Sequence, residues 1–307
     1  MKEPIIVTAF WDVGRSKDCE IPRSNERYYK EFAAWARIKN ELIVYTDEYS
    51  VDEIKKIRNQ YGLGGKTRVI VNDIFKVEND IFNRMLEVEK KKAFTDFRYR
   101  PEAMENQAKF DYAWFMKYWC MADAVKYAND DDVFAWFDFG FNHIDKCYSN
   151  MEEFSFTWTL NKEINEVQAY SLKNVEDVAI FDVLQFMQDT VMGVFFLVPT
   201  KCAVEFWKVI RQSMESLLMI ECIDDDQVLV LMAHKWRPDI IKINISEWWY
   251  LALKENGADH LSVRLPKDRN QSTIKHKIWA KKYDYIHKTE YLKRTKNRMN
   301  KAVDSAL

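Results

Sequence analysis

The first half of the chain alternates short apolar segments with longer amphipathic ones, and this alternation restricts the fold more than any other feature. Segments of strand length and composition stand at residues 4–10, 41–45, 67–71 and 133–140. Between them, residues 25–39 and 106–128 place apolar side chains at helical spacing. Strands that alternate with helices of about ten or more residues are typical of a parallel sheet with crossover helices. The sequence therefore predicts an α/β fold with four βα units in one sheet.

The second half of the chain shows a looser pattern. Residues 154–158, 191–198 and 240–245 are predicted strands, and residues 202–219 and 225–235 are predicted helices. No internal repeat or low-complexity linker separates the two halves. We therefore expect one catalytic domain over residues 1–266, followed by a basic, helical extension over residues 267–307.

Charge is distributed unevenly along the 307 residues. The net charge is only −2, which argues against a protein that binds nucleic acid with its whole surface. From Lys267 to Lys301, however, twelve Lys and Arg stand against three acids, so this tail carries +9 and the remainder −11. Basic and apolar residues interleave there, which predicts a surface for peripheral contact with an anionic membrane. The alternative is a helix that packs against an acidic face of the same chain.

Cellular location is predicted from two absences. No apolar stretch reaches the roughly 20 residues that span a bilayer, and five cysteines are scattered without a Cys-x-x-Cys pair. We therefore expect a cytoplasmic protein with free thiols and no cysteine-based zinc site.

Asp138 is the exceptional residue of the apolar run Val-Phe-Ala-Trp-Phe-Asp-Phe-Gly at residues 133–140. The run has the length and composition of a buried strand, and Gly140 ends it. A carboxylate in such a place needs a partner, which a cation or a diphosphate with its metal would provide. The alternative is that Asp138 only caps the following loop.

The loop after the first strand, Thr8-Ala9-Phe10-Trp11-Asp12-Val13-Gly14-Arg15, is a second candidate for ligand binding. Ligands of α/β sheets bind at the carboxyl ends of parallel strands. Gly14 allows close backbone approach, and Arg15 has the geometry to hold a phosphate. Neither a dinucleotide fingerprint nor a P-loop is present. Asp47 closes the second strand, either as a ligand for a base or ribose or as a turn residue.

Three further positions carry candidate chemistry. Asp225 and Asp226 belong to the run Asp-Asp-Asp-Gln at residues 224–227, where one acid can cap a helix while another points into a cleft. Lys117 lies on the long predicted helix, either near Asp138 or as a solvated charge. Gly193 either places backbone against a ligand or marks a bulge.

The five histidines form no metal-binding motif. Imidazole and carboxylate together suit Mn²⁺, so one histidine can complete a site with Asp138. His276 and His260 lie in the late segment that could fold back over the cleft, and His276 is the candidate metal ligand.

Four of these segments together resemble the WlaTC/HtrL/YibB family of bacterial proteins over residues 5–249. They are Ile-Val-Thr-Ala-Phe-Trp-Asp-Val-Gly-Arg at 6–15, Arg-Tyr-Tyr at 27–29 leading to Leu-Ile-Val-Tyr-Thr-Asp at 42–47, Trp-Phe-Asp-Phe-Gly at 136–140 and Asp-Asp-Gln at 225–227. That family is similar to GT-A-type glycosyltransferases of cell-surface polysaccharides. The resemblance implies a GT-A-like Rossmann-type, mostly parallel sheet flanked by helices, with a nucleotide-diphosphate-sugar donor in its cleft.

The resemblance also implies roles for individual residues. Phe10 and Asp47 would line the base and ribose, Arg15 and Lys117 would meet the diphosphate, and Asp138 would bind a divalent cation, Mn²⁺ or Mg²⁺. The candidate donor-binding residues are Thr8, Ala9, Phe10, Arg15, Asp47, Lys117, Asp138, Gly140 and Gly193. The Asp-x-Asp of GT-A enzymes reads Trp-Phe-Asp here, so only its last carboxylate is present.

The predicted reaction transfers a sugar to a glycan of the capsule or of lipooligosaccharide, or to its lipid-linked precursor. Asp225 or Asp226 would be the base of an inverting enzyme or would hold the sugar in a retaining one. A non-catalytic carbohydrate- or nucleotide-binding protein on the same fold is the main alternative. A nucleotidyltransferase is a second one, although its glycine-rich, lysine-bearing loop is absent.

Overall fold

The computed structural model describes residues 2–15, 22–143, 147–264 and 274–304, with the side chains of residues 274–284 and 301–304 outside that description. Within these ranges the strands are β1 (Ile5–Phe10), β2 (Leu42–Thr46), β3 (Thr67–Val71), β4 (Val133–Phe137), β5 (Val167–Ser171), β6 (Phe195–Pro199) and β7 (Ile241–Ile245).

These strands form one mixed sheet in the order β3-β2-β1-β4-β6-β5-β7. Strand β6 runs antiparallel to its neighbours β4 and β5, and the other paired strands are parallel. The predicted α/β class, a mostly parallel sheet flanked by helices, is confirmed. The first four strands are parallel neighbours, as the alternation in the first half of the sequence predicts.

Helices cover both faces of the sheet. In the described part of the chain they are α1 (Asn25–Trp35), α2 (Val51–Gln60), α3 (Asn79–Glu89), α4 (Lys92–Phe97), α5 (Ala108–Ala124), α6 (Ile180–Phe186), α7 (Thr200–Met219), α8 (Asp226–Trp236), α9 (Leu251–Glu255) and α10 (Ile274–Asp304). Helices α3, α5, α7 and α8 pack in one hydrophobic core, and α1, α2 and α9 pack in the other.

Strand β4 is continuously apolar because it contributes to both cores. Trp136 belongs to the core beneath α5, and its neighbour Phe137 belongs to the core beneath α1. Successive side chains of a strand point to opposite faces, so a sheet covered on both sides requires apolar residues at every position. Burial of each large side chain stabilises the fold by roughly 1.5–3 kcal/mol. The rigid strand therefore ends at a defined place, immediately before Asp138.

In the second half, one predicted strand is absent from the described residues, the strand predicted at residues 191–198 begins only at Phe195, and strand β5 is not predicted. Residues 154–158 form no strand: a 3₁₀ turn at Met151–Phe154 leads into an extended segment held by Lys39 N–H on Phe156 O and by Trp158 N–H on Asn40 Oδ1. Its alternating burial comes from packing against a loop. The sequence does not predict strand β5, because Val-Gln-Ala-Tyr-Ser has no apolar periodicity. All five residues are nevertheless buried in the sheet.

The basic tail is helical over α10. The predicted boundary at residue 266 falls within residues 265–273, outside the described ranges, so the division into two domains stays a prediction. Among the described residues, no helix is long and apolar enough to cross a membrane. Cys120, Cys147, Cys202 and Cys222 are free thiols, and Cys19 lies outside the described residues.

Candidate functional site

A cleft opens where the parallel strands β1 and β4 end, and we call it the β1–β4 cleft. It is lined by the loop after β1, the beginning of α1, one side of α5 and the segment after β4, and it encloses about 790 Å³ that is open to solvent. Parallel strands end together at this edge of the sheet, which is where α/β folds bind ligands. Six of the predicted donor-binding residues line it: Ala9, Phe10, Arg15, Lys117, Asp138 and Gly140.

Asp138 presents one of its two carboxylate oxygens for a ligand. Its Oδ1 accepts hydrogen bonds from Trp136 Nε1 at 2.8 Å and from Lys117 Nζ at 3.2 Å. Within the described ranges no donor reaches Oδ2, and the side chain is 27% exposed. Two fixed donors on Oδ1 hold the carboxylate in place, so Oδ2 is available to a cation or a hydroxyl group in the cleft.

Lys117 links Asp138 to the acidic cluster. Its Nζ donates to Asp226 Oδ2 at 2.7 Å and to Gly193 O at 3.0 Å, in addition to Asp138. These three bonds use all three hydrogens of the ammonium group. Burial lowers the pKa of Lys117, but the charges of Asp138 and Asp226 outweigh burial, so the pKa is raised. Lys117 is therefore a buried, permanently charged bridge at the base of the cleft.

Gly193 allows this bridge to form. A Cβ atom at Gly193 would stand 2.0 Å from Asp226 Oδ2, closer than any real contact. The absence of a side chain therefore lets the carboxylate of Asp226 lie against the backbone, where it meets Lys117. Gly193 lies beneath Lys117 rather than among the residues that line the cleft.

The three acids of the cluster have three different partners. Asp224 pairs with both terminal nitrogens of Arg98, at 2.9 and 3.0 Å. Asp225 is the N-cap of α8 and accepts from Gln227 N at 2.9 Å. Asp226 turns towards Lys117, which lines the cleft. Adjacent residues at a helix start point in different directions, which explains the division.

Burial shifts the titration of the two candidate catalytic acids. It raises the pKa of Asp225 well above the usual range, and the neighbouring charges of Asp224 and Asp226 add to this effect. Burial also raises the pKa of Asp226, although the charge of Lys117 opposes the shift. Perturbed carboxyl groups of this kind gather at functional sites and also in structural ion-pair networks. Asp226 is the nearer of the two to Asp138, because Lys117 contacts both.

Two arginines, Arg15 and Arg23, also line the cleft. Arg15 Nη1 donates to Tyr28 Oη at 2.8 Å, and Arg23 Nη1 lies 3.0 Å from His143 Nε2. Burial lowers the pKa of Arg23, and the nearby charge of Arg15 lowers it further. Arg23 forms no ion pair with a carboxylate in the described part of the chain. Two like charges held close together in a cleft favour an anion between them.

His143 joins Arg23 to a buried carboxylate. Its Nδ1 lies 3.1 Å from Glu31 Oε2, and Arg27 Nε holds the other oxygen of Glu31 at 3.0 Å. Because a guanidinium can only donate, His143 Nε2 accepts from Arg23 and Nδ1–H donates to Glu31. Burial lowers the pKa of His143 in spite of the hydrogen bond to Glu31. A neutral imidazole therefore holds Arg23 at the cleft wall.

Several predicted site residues lie away from the cleft surface. Thr8 is fully buried within β1. Asp47 accepts from Asp12 N and Ser50 N, both at 3.0 Å, so it supports the loop after β1 from behind. Asp225 is turned into α8. The side chain of His276 lies outside the described residues, and His260 Nε2 bonds to Glu153 O.

No group of three or more His, Cys, Asp or Glu side chains among the described residues could hold a metal ion by itself. The available donor set for a cation is the free oxygen of Asp138. A Mg²⁺ ion commonly takes one or two carboxylates and completes its shell with substrate phosphates and water. Asp138 fits a cation of that kind, one that shares its ligands with a bound phosphate group.

Arg23, Trp114, Trp136 and His143 line the cleft and are not among the predicted site residues. Trp114 is half-buried and lines the cleft. Its position three residues before Lys117 on one helix face was a usable signal. Trp136 stands two residues before Asp138 on the same side of the strand. For Arg23 and His143 the sequence offers no signal, because 120 positions separate them.

Comparisons with known proteins place the chain among bacterial relatives. The family model described as "Bacterial protein of unknown function (HtrL_YibB)" matches residues 2–254. Protein HtrL of Escherichia coli (strain K12) is 25% identical over 255 residues, covering 78% of this chain and 86% of HtrL.

A solved structure is also similar, at a lower level. Mouse xyloside xylosyltransferase 1 in its apo form is 12% identical, with a TM-score of 0.41, and the match covers 78% of this chain and 84% of the mouse chain. Similarity at this level does not establish a common chemistry, which has to be argued from the side chains in the cleft.

Proposed function

The chain belongs to the HtrL_YibB family of bacterial proteins, and we propose that it is a glycosyltransferase that uses a nucleotide-diphosphate-sugar donor. The acceptor in this proposal is a cell-surface glycan of the capsule or of lipooligosaccharide, or its lipid-linked precursor. The resemblance to the WlaTC/HtrL/YibB sequences led to the same expectation.

One observation carries the proposal: the β1–β4 cleft is lined by a pair of guanidinium groups and by a fixed carboxylate with one free oxygen. Arg15, Arg23 and Asp138 all line this cleft, with Asp138 at the end of β4. A nucleotide-diphosphate sugar has matching parts, because its diphosphate is anionic and its sugar hydroxyls are hydrogen-bond donors. The combination therefore suits one ligand that spans the cleft.

We assign the diphosphate to Arg15 and Arg23 and the base to the aromatic side chains that line the same cleft. Trp11 and Trp114 offer flat surfaces for stacking, and Phe10 is largely covered by Phe139 and Tyr28. Arginine binds phosphate oxygens with two parallel hydrogen bonds, and this fork fixes orientation as well as affinity. Lys117 contributes its positive charge through space, since its three hydrogens are already donated.

A divalent cation, Mn²⁺ or Mg²⁺, would be held by Asp138 together with the donor's diphosphate. Such a cation would neutralise charge on the departing diphosphate. The residues of the chain have their own part in the reaction: Arg15 and Arg23 stabilise the same leaving group, and Trp136 and Lys117 keep Asp138 oriented.

The reacting sugar would lie at the floor of the cleft, beside the free oxygen of Asp138 and over Lys117, which joins Asp138 to Asp226. During transfer, the bond from the sugar to the diphosphate breaks with its electron pair on the phosphate oxygen, the acceptor oxygen bonds to the sugar carbon, and the proton of the acceptor hydroxyl passes to a carboxylate. Of the two acids predicted to be catalytic, we assign Asp226 to this step, because Asp225 is occupied in capping α8.

The test begins with a thermal-shift screen of the full chain against nucleoside diphosphates and their sugars, each with and without Mn²⁺. A ligand at about 100 times its Kd stabilises a protein by about 2.7 kcal/mol, which raises Tm measurably. The donor that raises Tm is then incubated with a cell-surface glycan extract, and release of nucleoside diphosphate is followed. We expect glycan-dependent release. Binding without release would indicate a non-catalytic nucleotide-binding protein, and no shift with any nucleotide would refute the assignment of the cleft.

A further inference from the structure

Helix α10 is attached to the rest of the chain through one of its faces. Arg294 donates from its guanidinium to the carbonyl oxygens of Thr95, Arg98 and Tyr99, at 3.0 to 3.3 Å. Tyr291 Oη accepts from Gln185 Nε2, and its ring packs beside Phe186. Residues 287, 291 and 294 follow helical spacing, so they define one inner face. The amphipathic tail thus has a fixed orientation on the surface of the protein.

The outer face of α10 carries a row of exposed apolar side chains. Tyr285, Leu292 and Met299 are 71%, 56% and 64% exposed. They recur every seven residues, so they lie almost above one another, roughly 100° around the helix from Tyr291. The row extends over about 21 Å, since each residue advances the helix by about 1.5 Å. Large exposed apolar side chains aligned in this way indicate a surface that binds another protein or a membrane.

The row is bordered by positive charge. Lys288, Lys293 and Lys296 are exposed and flank the row, and Glu290 is the one acid among residues 285–300. Lysines on both sides of an apolar row are the arrangement of a helix that lies flat in a membrane interface, with apolar side chains among the acyl chains and ammonium groups at the phosphates. A nucleic acid would match the charges but would leave the apolar row without a partner.

We propose that the outer face of α10, defined by Tyr285, Leu292 and Met299 with their basic border, docks on an anionic membrane surface. The inner face remains bound to α4 and α6, so docking requires no rearrangement of the helix. The proposal does not depend on the chemistry of the β1–β4 cleft. If the acceptor is lipid-linked, docking would hold the protein at the surface that contains it.

The test is co-sedimentation of the full chain with vesicles of phosphatidylcholine alone and of phosphatidylcholine with phosphatidylglycerol. We expect binding to the anionic vesicles that weakens with added salt. The variant L292E/M299E should bind at least tenfold more weakly. The control K55E/K242E changes the net charge by twice as much, and both lysines are exposed and outside α10, so it should retain most of the binding. Thermal melts check that each variant is folded. If L292E/M299E does not fold, the single variant M299E is tested in its place.

Three results would overturn the proposal. The full chain could stay in the supernatant with anionic vesicles. That result would mean that it does not bind them, and a protein would then be the partner of the outer face. The control could lose as much binding as L292E/M299E, which would indicate attraction by net charge without a docking face. Binding to neutral vesicles with equal affinity would remove the role of the basic border.

Discussion

Lys117 Nζ and Asp226 Oδ2 lie 2.7 Å apart, although 109 positions separate the two residues in the sequence. The pair joins α5 to the beginning of α8, and Lys117 extends the connection to Asp138 at the end of β4. Both side chains are nearly excluded from solvent. Removing one member of a buried ion pair leaves an uncompensated charge and typically costs about 3–5 kcal/mol. The geometry of the cleft therefore depends on how α5 packs against α8, two helices that are far apart in the sequence.

The two candidate catalytic acids should respond differently to the same substitution. We expect Asp226→Asn to lower turnover by about 10²–10⁴-fold while nucleotide binding remains, the range for a positioned proton acceptor. Asp225→Asn is the matched control, because Asn caps helices about as well as Asp, and its turnover should stay within a few-fold. The measurement is kcat at saturating donor. Normal turnover by Asp226→Asn would remove Asp226 from the chemistry.

Binding of the nucleoside diphosphate should depend on the free oxygen of Asp138. Asp138→Asn keeps the size of the side chain and removes its charge, so the fold should survive. We expect Mn²⁺-supported affinity to fall by about 1–3 kcal/mol, the scale of a charge-assisted contact. Calorimetric titrations with and without Mn²⁺ separate this effect from a general loss of binding. Unchanged Mn²⁺-supported affinity would contradict the role of Asp138 as a cation ligand.

The guanidinium pair makes a separate prediction. Arg23→Met should weaken binding of a nucleoside diphosphate by about 10–100-fold and binding of the parent nucleoside hardly at all, because the lost bonds go to phosphate. Arg37→Met, also near α1 but paired with Glu152, is the control. Affinities are compared at two salt concentrations, and the Arg23 variant should show the weaker salt dependence. An equal loss for nucleoside and diphosphate would mean that Arg23 shapes the cleft without binding the phosphates.

The sequence predicted the parts of the fold that local patterns determine. Strands β1 to β4 follow apolar runs, and the place of Asp138 at the end of β4 follows from the length of its run. The partners of Asp224 and Asp226 could not be predicted, because the order of the sheet brings Arg98 and Lys117 to them from more than 100 positions away. The same applies to Arg23 and His143. Periodicity predicts which face of a helix or strand a residue occupies. The side chains that it contacts on that face depend on how the helices and strands are arranged in the fold.

The buried carboxyl group of Asp111 should make stability depend on pH. Asp111 is fully buried on α5, and among the described residues neither of its carboxylate oxygens has a hydrogen-bond partner. Burial raises its pKa well above the ordinary 3.8, and the charges of Asp224 and Asp225 add to the shift, with Arg98 opposing it. Between the unfolded pKa and the raised folded pKa, the folded chain holds a proton that the unfolded chain has released. The contribution of Asp111 to the free energy of unfolding therefore decreases as pH rises through that window.

Asp111→Asn removes the titrating group and keeps its size. We expect the free energy of unfolding of this variant to exceed that of the parent chain by an amount that grows by about 1.4 kcal/mol per pH unit within the window and is constant above it. Urea titrations at pH 5, 6 and 7 measure the difference. Asp177→Asn is the control, because it makes the same substitution at an exposed position. A parent chain that gains stability over Asp111→Asn as pH rises would show that Asp111 is ionised and paired in the folded protein.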